Sequence, residues 1–268
     1  MSNAIEKNLN DNGVLKLSLN RPDVLNAMNA DLIMGLLEGF NEAKADKKVR
    51  SIIITGNGRG FCSGADLVDG GWPKTKGLTG GEAGAITMEN AFNPLVKAIT
   101  QSTKPVVNAI NGMAAGGGVG LALTGDIVVA AESAKFKLVF GPNLGIISDV
   151  GASWFVPNLI GRARANGMGL LGEDISAQQA KDWGLIWDCV PDNMLLPVCE
   201  EIANKLANGP TAGLKEIVKA HDKALSGSLS EQLDYEKEIQ RVRLDSKEFK
   251  EGVSAFIEKR KPNFRDLE

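Results

Sequence analysis

The sequence predicts an α/β protein, because strand-like and helical segments alternate through its first half and helical segments dominate its second half. Strand patterns occur at 14–19, 51–55, 106–110 and 126–130, with helical or glycine-rich segments between them. Since parallel neighbours need crossover connections, this order indicates a parallel sheet with right-handed crossovers. At 268 residues, the chain can form one large domain or a domain with an appendage.

The first third of the chain predicts two strands that flank one helix. Residues 14–19 alternate so that three leucines share a face, which is typical of a half-buried strand. After the break at Asn20-Arg21-Pro22, apolar residues from Leu25 to Phe40 recur at helical spacing and predict an amphipathic helix to about Asp46. Residues 51–55 carry three consecutive isoleucines, as expected for a strand buried on both faces of a parallel sheet.

The rest of the chain predicts one long loop and then a succession of helices. Residues 68–85 are glycine-rich and aperiodic, which favours a mobile surface loop, and a helix is expected over roughly 87–101. A strand-like break stands at 186–190. The helical segments predicted around this break are 153–160, 162–171, 176–183, 192–208, 211–225, 229–244 and 247–260.

Composition excludes several classes of partner and compartment. A net charge of −3 gives no electrostatic reason to expect nucleic acid or an anionic membrane as a partner. No apolar run approaches the length of a membrane span, and the N-terminus lacks the apolar segment of a signal peptide. The three cysteines are widely spaced, and one histidine cannot complete a metal site with them. A cytoplasmic protein without disulfides or a bound metal is therefore expected.

A glycine-rich turn is the first candidate for chemistry. Gly116-Gly117-Gly118 follows the 106–110 strand and opens a predicted helix closed by Gly125. Backbone N–H groups at such a junction lie beside the positive end of a helix dipole, which suits an oxyanion or a phosphate. A tight turn that only permits close packing is an equal alternative. Neither the dinucleotide fingerprint nor the phosphate-binding P-loop fits these residues.

Asp149 is the second candidate, because apolar residues flank it and a helix is predicted to follow. A helix N-cap is the common role of an aspartate at such a place. The alternative is a carboxylate in an apolar pocket, with its pKa raised toward the working pH of an acid/base. No nucleophile arrangement is indicated at Cys62 or Ser63, because His221 stands far away in a helical segment and the G-x-S-x-G motif is absent.

Three segments together resemble the crotonase superfamily of enoyl-CoA hydratases and isomerases. They are GRGFCSGADL at 58–67, NGMAAGGGVGLALTGDIVVA at 111–130, and residues 134–161 with Asp149. The resemblance continues at both ends of the chain, so it covers nearly the whole sequence. It implies an α/β fold with a crotonase-like ββα spiral core over 1–200 and a C-terminal helical trimerisation region over 201–268. A homotrimer or a dimer of trimers is the implied assembly.

The resemblance also implies a substrate and a set of site residues. The substrate would be an acyl-CoA thioester, with coenzyme A as its carrier rather than as a resident cofactor, and no metal would be required. The N–H groups of Ser63 and Gly117 would form an oxyanion hole, and Asp149 would be the acid/base. The residues implied to bind coenzyme A are Arg21, Leu25, Ala27, Ala65, Asp66 and Leu67 through their backbone, with Phe256 and Lys259 from a neighbouring subunit.

The departures from the superfamily pattern narrow the expected reaction. Enoyl-CoA hydratases handle water with two glutamates, whose places here are taken by Gly120 and Phe140. Asp149 matches the single acid of isomerase-type members. We therefore expect an acyl-CoA isomerase that moves a double bond or rearranges an epoxide; the alternatives are an enoyl-CoA hydratase or a non-catalytic acyl-CoA-binding protein. Four segments resemble the isomerases of aerobic phenylacetate degradation in particular: 93–96, 161–165, 171–172 and 182–187.

Overall fold

Two sheets form the frame of the computed structural model, which describes residues 4–68 and 77–267. Their strands are short, and several have only two or three residues, which is too few for a periodic sequence signal. The strands are β1 Ile5–Leu9, β2 Val14–Leu19, β3 Ser51–Gly56, β4 Gly60–Cys62, β5 Val106–Ile110, β6 Met113–Ala115, β7 Ile127–Ala131, β8 Lys135–Lys137, β9 Ile175–Ser176 and β10 Asp188–Val190.

Helices cover the larger sheet and make up most of the second half of the chain. Their order agrees with the sequence prediction, although several ends differ by a few residues. The helices are α1 Ala30–Ala45, α2 Gly80–Thr87, α3 Asn93–Thr100, α4 Gly117–Ala122, α5 Ala152–Leu171, α6 Ala177–Trp183, α7 Leu195–Ala207, α8 Thr211–Ala224, α9 Leu229–Arg243 and α10 Lys247–Ile257.

The larger sheet has the strand order β1-β2-β3-β5-β7-β10, and all of its pairings are parallel except that of β1 with β2. The predicted parallel sheet is therefore confirmed. The second sheet has the order β4-β6-β8-β9. Its strands β4 and β6 follow β3 and β5 of the larger sheet directly in the chain. The half-buried assignment of β2 was wrong: both α1 and α7 pack on this strand, so even Ser18 is buried.

The first helix begins later than its apolar spacing predicts. Pro22–Val24 forms a 3₁₀ turn, and Leu25 and Asn26 take left-handed conformations with φ of 51° and 55°. Left-handed residues cannot continue an α-helix. Helix α1 instead starts after Asn29, whose side chain accepts a hydrogen bond from the Leu32 N–H as an N-cap.

Part of the predicted loop at 68–85 is helical. Helix α2 starts after Thr79, which forms a capping box with Glu82. It continues through a π-helical turn at Met88–Phe92 into α3. The glycines at its start concealed this helix from the sequence pattern. Residues 69–76 of the predicted loop lie outside the described residues.

The C-terminal helices differ in their relation to the sheet. Helix α7 packs on β2, β3, β5 and β7, so the boundary predicted at residue 200 falls inside a helix that covers the core. The division into two regions stays a prediction. Helix α8 is tied to the sheet by Lys215, whose Nζ lies 2.8 Å from Asp126 Oδ1 in a buried ion pair. No helix among the described residues combines the length and apolar content that crossing a membrane requires.

Candidate active site

The three glycines that follow β6 have different structural roles. Gly116 needs its glycine identity because its φ is +53° with ψ of −127°. Gly118 permits close packing, since a Cβ at this position would overlap the Cys62 carbonyl oxygen. Gly117 is the first residue of α4, so its N–H lies outside the intrahelical hydrogen-bond ladder. The packing explanation therefore holds for Gly118, and Gly117 offers a backbone donor at the first position of the helix.

The Asp149 carboxylate lies against Gly117. A Cβ built on Gly117 would lie 3.3 Å from Asp149 Oδ1, 2.9 Å from Val150 Cγ2 and 3.0 Å from Met28 Cε. A larger residue at Gly117 would therefore have to displace these side chains. The chain thus brings together a backbone N–H at the start of a helix and a carboxylate from a loop 32 residues further on.

The carboxylate of Asp149 does not cap the helix that follows it. Gly151, with φ of 80°, is the N-cap residue of α5, and no side chain caps this helix. Asp149 contributes only its backbone carbonyl, which accepts a hydrogen bond from the Ala152 N–H at 2.9 Å. The N-cap alternative was therefore wrong, and the side chain is left to face Gly117.

Burial raises the pKa of Asp149 to about 6, while its own backbone N–H acts in the opposite direction. The pKa of an ordinary aspartate is about 3.9. Desolvation disfavours the charged form, so this carboxyl takes up a proton at a much higher pH than usual. A group that titrates close to neutral pH can accept a proton and return it within one reaction cycle.

Ser63 lies in a turn that touches the glycine turn. A Cβ built on the next residue, Gly64, would lie 3.3 Å from the Gly117 nitrogen. The Ser63 N–H is already a donor to the Leu25 carbonyl at 3.0 Å, and its hydroxyl donates to the Val24 carbonyl at 3.1 Å. The structure therefore places Ser63 in the expected region but does not present its N–H as an open donor, since the left-handed Leu25 directs its carbonyl there.

The segment expected to bind coenzyme A is held by internal hydrogen bonds. Asn26 is fully buried, and its side chain accepts from the Arg21 N–H and donates to the Asn57 and Gly60 carbonyls. Four of the expected contact residues use their backbone N–H groups inside the loop. These bonds run from Arg21 to Asn26 Oδ1, from Leu25 to Pro22, from Ala27 to Val24 and from Asp66 to Met28.

A partly buried ion pair joins the two ends of the same site segment. Arg21 Nη1 lies 2.8 Å from Asp66 Oδ2 and 2.6 Å from the Ala27 carbonyl oxygen. Ala65 forms a parallel bridge with Met28, and the side chain of Leu67 is exposed. Because their N–H groups are already used, Arg21, Leu25, Ala27 and Asp66 would contact a ligand through carbonyls or side chains. The coenzyme A role of all six residues stays a prediction.

Phe256 and Lys259 are exposed at the end of α10, and Lys259 has a left-handed φ of 54°. Because the structure contains one subunit, their approach to a neighbour's site stays a prediction. Cys62 is fully buried, which raises the pKa of its thiol to about 12, and His221 is exposed on α8. Cys62 and His221 are therefore not placed to act together as a nucleophile and its general base.

The sequence prediction missed Val150, which shapes the site from the position after Asp149. Its φ of 50° is unusual for a β-branched residue. A Cβ built on Gly120 would lie 2.8 Å from the Val150 carbonyl carbon and would overlap its oxygen. Gly120 therefore has no space for a carboxylate side chain, and Phe140 is buried in a π-helical turn. In the sequence, this packing is signalled only by two glycines three residues apart, Gly117 and Gly120, and by the Asp-Val-Gly sequence at 149–151.

Comparison with known proteins agrees with this geometry. A sequence model of the enoyl-CoA hydratase/isomerase family matches residues 10–267. The chain is 44% identical over 256 residues to the 1,2-epoxyphenylacetyl-CoA isomerase of Escherichia coli K12, and the match covers 95% of each protein. It is 34% identical to the 2,3-dehydroadipyl-CoA hydratase of the same organism, over 94% of this chain and 95% of that protein. The crystal structure of enoyl-CoA hydratase from Bacillus anthracis has a TM-score of 0.88 and 32% identity, covering 98% of this chain and 99% of that one. The crotonase-like fold is therefore confirmed.

Gly117→Ala tests whether the space beside Asp149 matters for chemistry. The new Cβ would press on Val150, Met28 and Asp149 at 2.9–3.3 Å, so we expect the carboxylate to shift and turnover of acyl-CoA thioesters to fall about 10- to 100-fold. Circular dichroism should show an intact fold. Gly167→Ala is the control, because a Cβ there meets no atom within 4 Å. Wild-type turnover in a folded Gly117→Ala variant would leave Gly117 with a packing role alone.

Proposed function

The chain belongs to the enoyl-CoA hydratase/isomerase family, and we propose that it isomerises an acyl-CoA thioester with Asp149 as the proton-transfer group. The proposed substrate is an unsaturated or ring-derived acyl-CoA, in which a double bond moves or an epoxide is rearranged. The relative that shares 44% identity is an isomerase by name, which supports this choice. Coenzyme A is part of the substrate in this proposal, and the reaction requires neither a resident cofactor nor a metal.

The observation that carries the proposal is the position of the Asp149 carboxylate beside Gly117. Its oxygen lies 3.3 Å from where a Gly117 Cβ would be, at the start of α4. A thioester oxygen bound to the Gly117 N–H would therefore place the adjacent carbon close to this carboxylate. Because the pKa of Asp149 is raised to about 6, the group is ionised at neutral pH and still basic enough to accept a proton.

The N–H groups of Gly117 and Ser63 are the proposed donors to the thioester oxygen. Ser63 would exchange its neutral acceptor, the Leu25 carbonyl at 3.0 Å, for an oxygen that becomes negative during the reaction. Hydrogen bonds to a charged acceptor are roughly twice as strong as neutral ones, so the exchange becomes favourable as the enolate forms. Each donor of this kind contributes about 3 kcal/mol to the stability of the transition state.

Movement of a double bond needs only this one acid/base group. In a 3-enoyl thioester, the Asp149 carboxylate takes the proton from carbon 2, and the C–H electron pair enters the enolate while the thioester oxygen gains negative charge. The same carboxyl then donates its proton to carbon 4. The electrons of the former 3,4 double bond form the new C–H bond, and the double bond ends between carbons 2 and 3. Atoms and charge balance without water or a second acid.

Hydration is the second candidate, because the chain also resembles the 2,3-dehydroadipyl-CoA hydratase. Gly120 argues against it, since the Val150 carbonyl occupies the volume that a glutamate would need there. A non-catalytic binding role is the third candidate. It would give no reason to retain the ionised Asp149 in apolar surroundings, where its burial costs folding stability. Two assays separate the three candidates. An isomerase converts 3-enoyl-CoA, a hydratase adds water to 2-enoyl-CoA, and a binding protein does neither.

Asp149→Asn tests the proposed acid/base directly. The amide keeps the shape of the side chain, so we expect normal folding, acyl-CoA binding within a few-fold and isomerisation slower by about 10²–10⁴-fold. In the wild type, kcat/KM should rise with pH and level off above about pH 6, because the carboxylate must be ionised to accept a proton. This rise is the acid limb of the pH profile, and the residual kcat/KM of the variant should lack it.

Asp222→Asn is the matched control for this experiment. Burial also raises the pKa of Asp222, but the residue lies on α8 and not beside Gly117. We expect this variant to keep both the turnover and the acid limb of the wild type. Wild-type turnover in Asp149→Asn would contradict the proposed function.

We also propose that the chain assembles as a trimer or a dimer of trimers. Helix α9 buries none of its described side chains, although Leu229, Leu233 and Val242 are apolar. Phe256 and Ile257 at the end of α10 are exposed as well. Apolar surface of this extent on neighbouring helices is typical of an interface with another protein chain.

Light scattering at micromolar concentration tests the assembly. We expect three or six chain masses for the wild type and a smaller particle for Leu233→Glu, because a charge on α9 would be desolvated in the interface. Met34→Glu is the control, since Met34 is an exposed apolar residue of α1, outside the C-terminal helices. A wild-type monomer would rule out both the assembly and a partner's Phe256 and Lys259 in the site.

A further inference from the structure

Val150 is the one β-branched residue among the described non-glycine residues with positive φ, and it adjoins Asp149. A β-branched side chain in the left-handed region is a conformational outlier that persists only where its surroundings impose it. Val150 is 2% exposed, so those surroundings are the protein interior. Strained backbone of this kind concentrates at functional sites.

The surroundings that hold Val150 are the two glycines on one face of α4. Its Cγ2 atom lies 2.9 Å from where a Gly117 Cβ would be, and its own Cβ lies 3.0 Å from the corresponding point on Gly120. Its carbonyl oxygen also fills the space over Gly120. Since Gly117 and Gly120 stand three residues apart, they share a helix face. Together they form a groove that Val150 fills closely.

We propose that Val150 is a positioning residue, which holds the Asp149 carboxylate at Gly117 and shields it from water. This inference rests on the proposed function of Asp149. The direction of the chain at Val150 determines where the preceding side chain points. Its γ-methyl group and the Asp149 carboxylate oxygen both lie against Gly117, so removal of the methyl group would open this space to water. The raised pKa of Asp149 fits such shielding, because burial is its largest cause and no charged group within residues 4–68 and 77–267 contributes to it.

Val150→Gly and Val150→Ala test the inference. Glycine adopts positive φ without strain, so the backbone of Val150→Gly can keep its path while the side chain is lost. We expect turnover to fall about 10- to 100-fold, with KM within a few-fold of the wild type. The acid limb of kcat/KM should move to lower pH, because a more hydrated Asp149 ionises more easily. Val150→Ala keeps the Cβ over Gly120 and should show the same two changes to a smaller degree.

Val156→Ala is the control, because Val156 is a buried valine of α5 and none of its atoms is among the three nearest to a Cβ built on Gly117 or Gly120. This variant should lose thermal stability as other valine truncations do, but it should keep the wild-type turnover and acid limb. Asp149→Asn is measured in parallel. If it loses turnover while folded Val150→Gly keeps the wild-type rate and limb, the positioning role is overturned and the proposed function stands.

Three further outcomes are also decisive. If Val156→Ala loses as much turnover as the Val150 variants and none of them shifts the acid limb, Val150 is a packing residue only, and the inference is overturned. If Val150→Gly does not fold, Val150→Ala decides by the same two readouts. Wild-type turnover in Asp149→Asn would instead overturn the proposed function itself.

Discussion

The packing of Val150 on the glycine face of α4 is the contact on which the geometry of the site depends. Gly117 and Gly120 leave space for the Val150 side chain and carbonyl, and any side chain at either position would collide with them. The same contact brings the Asp149 carboxylate to Gly117 and leaves no volume for a carboxylate at 120. One close approach between a loop and a short helix thus accounts for both the place of the acid and the missing hydratase glutamate.

The loop on the other side of the site is held by hydrogen bonds. Asn26 and the Arg21–Asp66 ion pair join 21–27 to 57–66 through one buried and two partly buried hydrogen bonds. Breaking one partner of a buried pair is costly, so this segment should keep its shape when a ligand binds. Preorganised donors are worth most when they need not rearrange as charge develops. In the proposed mechanism the exception is the Ser63 N–H, which would exchange its bond to the Leu25 carbonyl for one to the substrate.

Much of the fold could be predicted from the sequence, because the central strands β3, β5 and β7 are mostly apolar and helical segments dominate the C-terminal half. The break at Gly161, where φ is 74°, was also visible as a gap between two helical segments. The start of α1 could not be predicted, because the left-handed Leu25 and Asn26 leave no trace in apolar spacing. Asp149 was identifiable, but the position of Val150 follows from tertiary packing that no local pattern encodes.

The central claim is that a thioester held at Gly117 loses a proton to Asp149, and hydrogen exchange tests it most directly. A saturated acyl-CoA, which cannot isomerise, is incubated with the protein in D₂O, and deuterium at the carbon next to the thioester is followed by NMR. The wild type should exchange this hydrogen, with a rate that rises with pH to about 6 and then levels off. Folded Asp149→Asn should bind the same thioester and exchange its hydrogen about 10²–10⁴-fold more slowly than the wild type. Equal exchange by the two proteins would contradict the account.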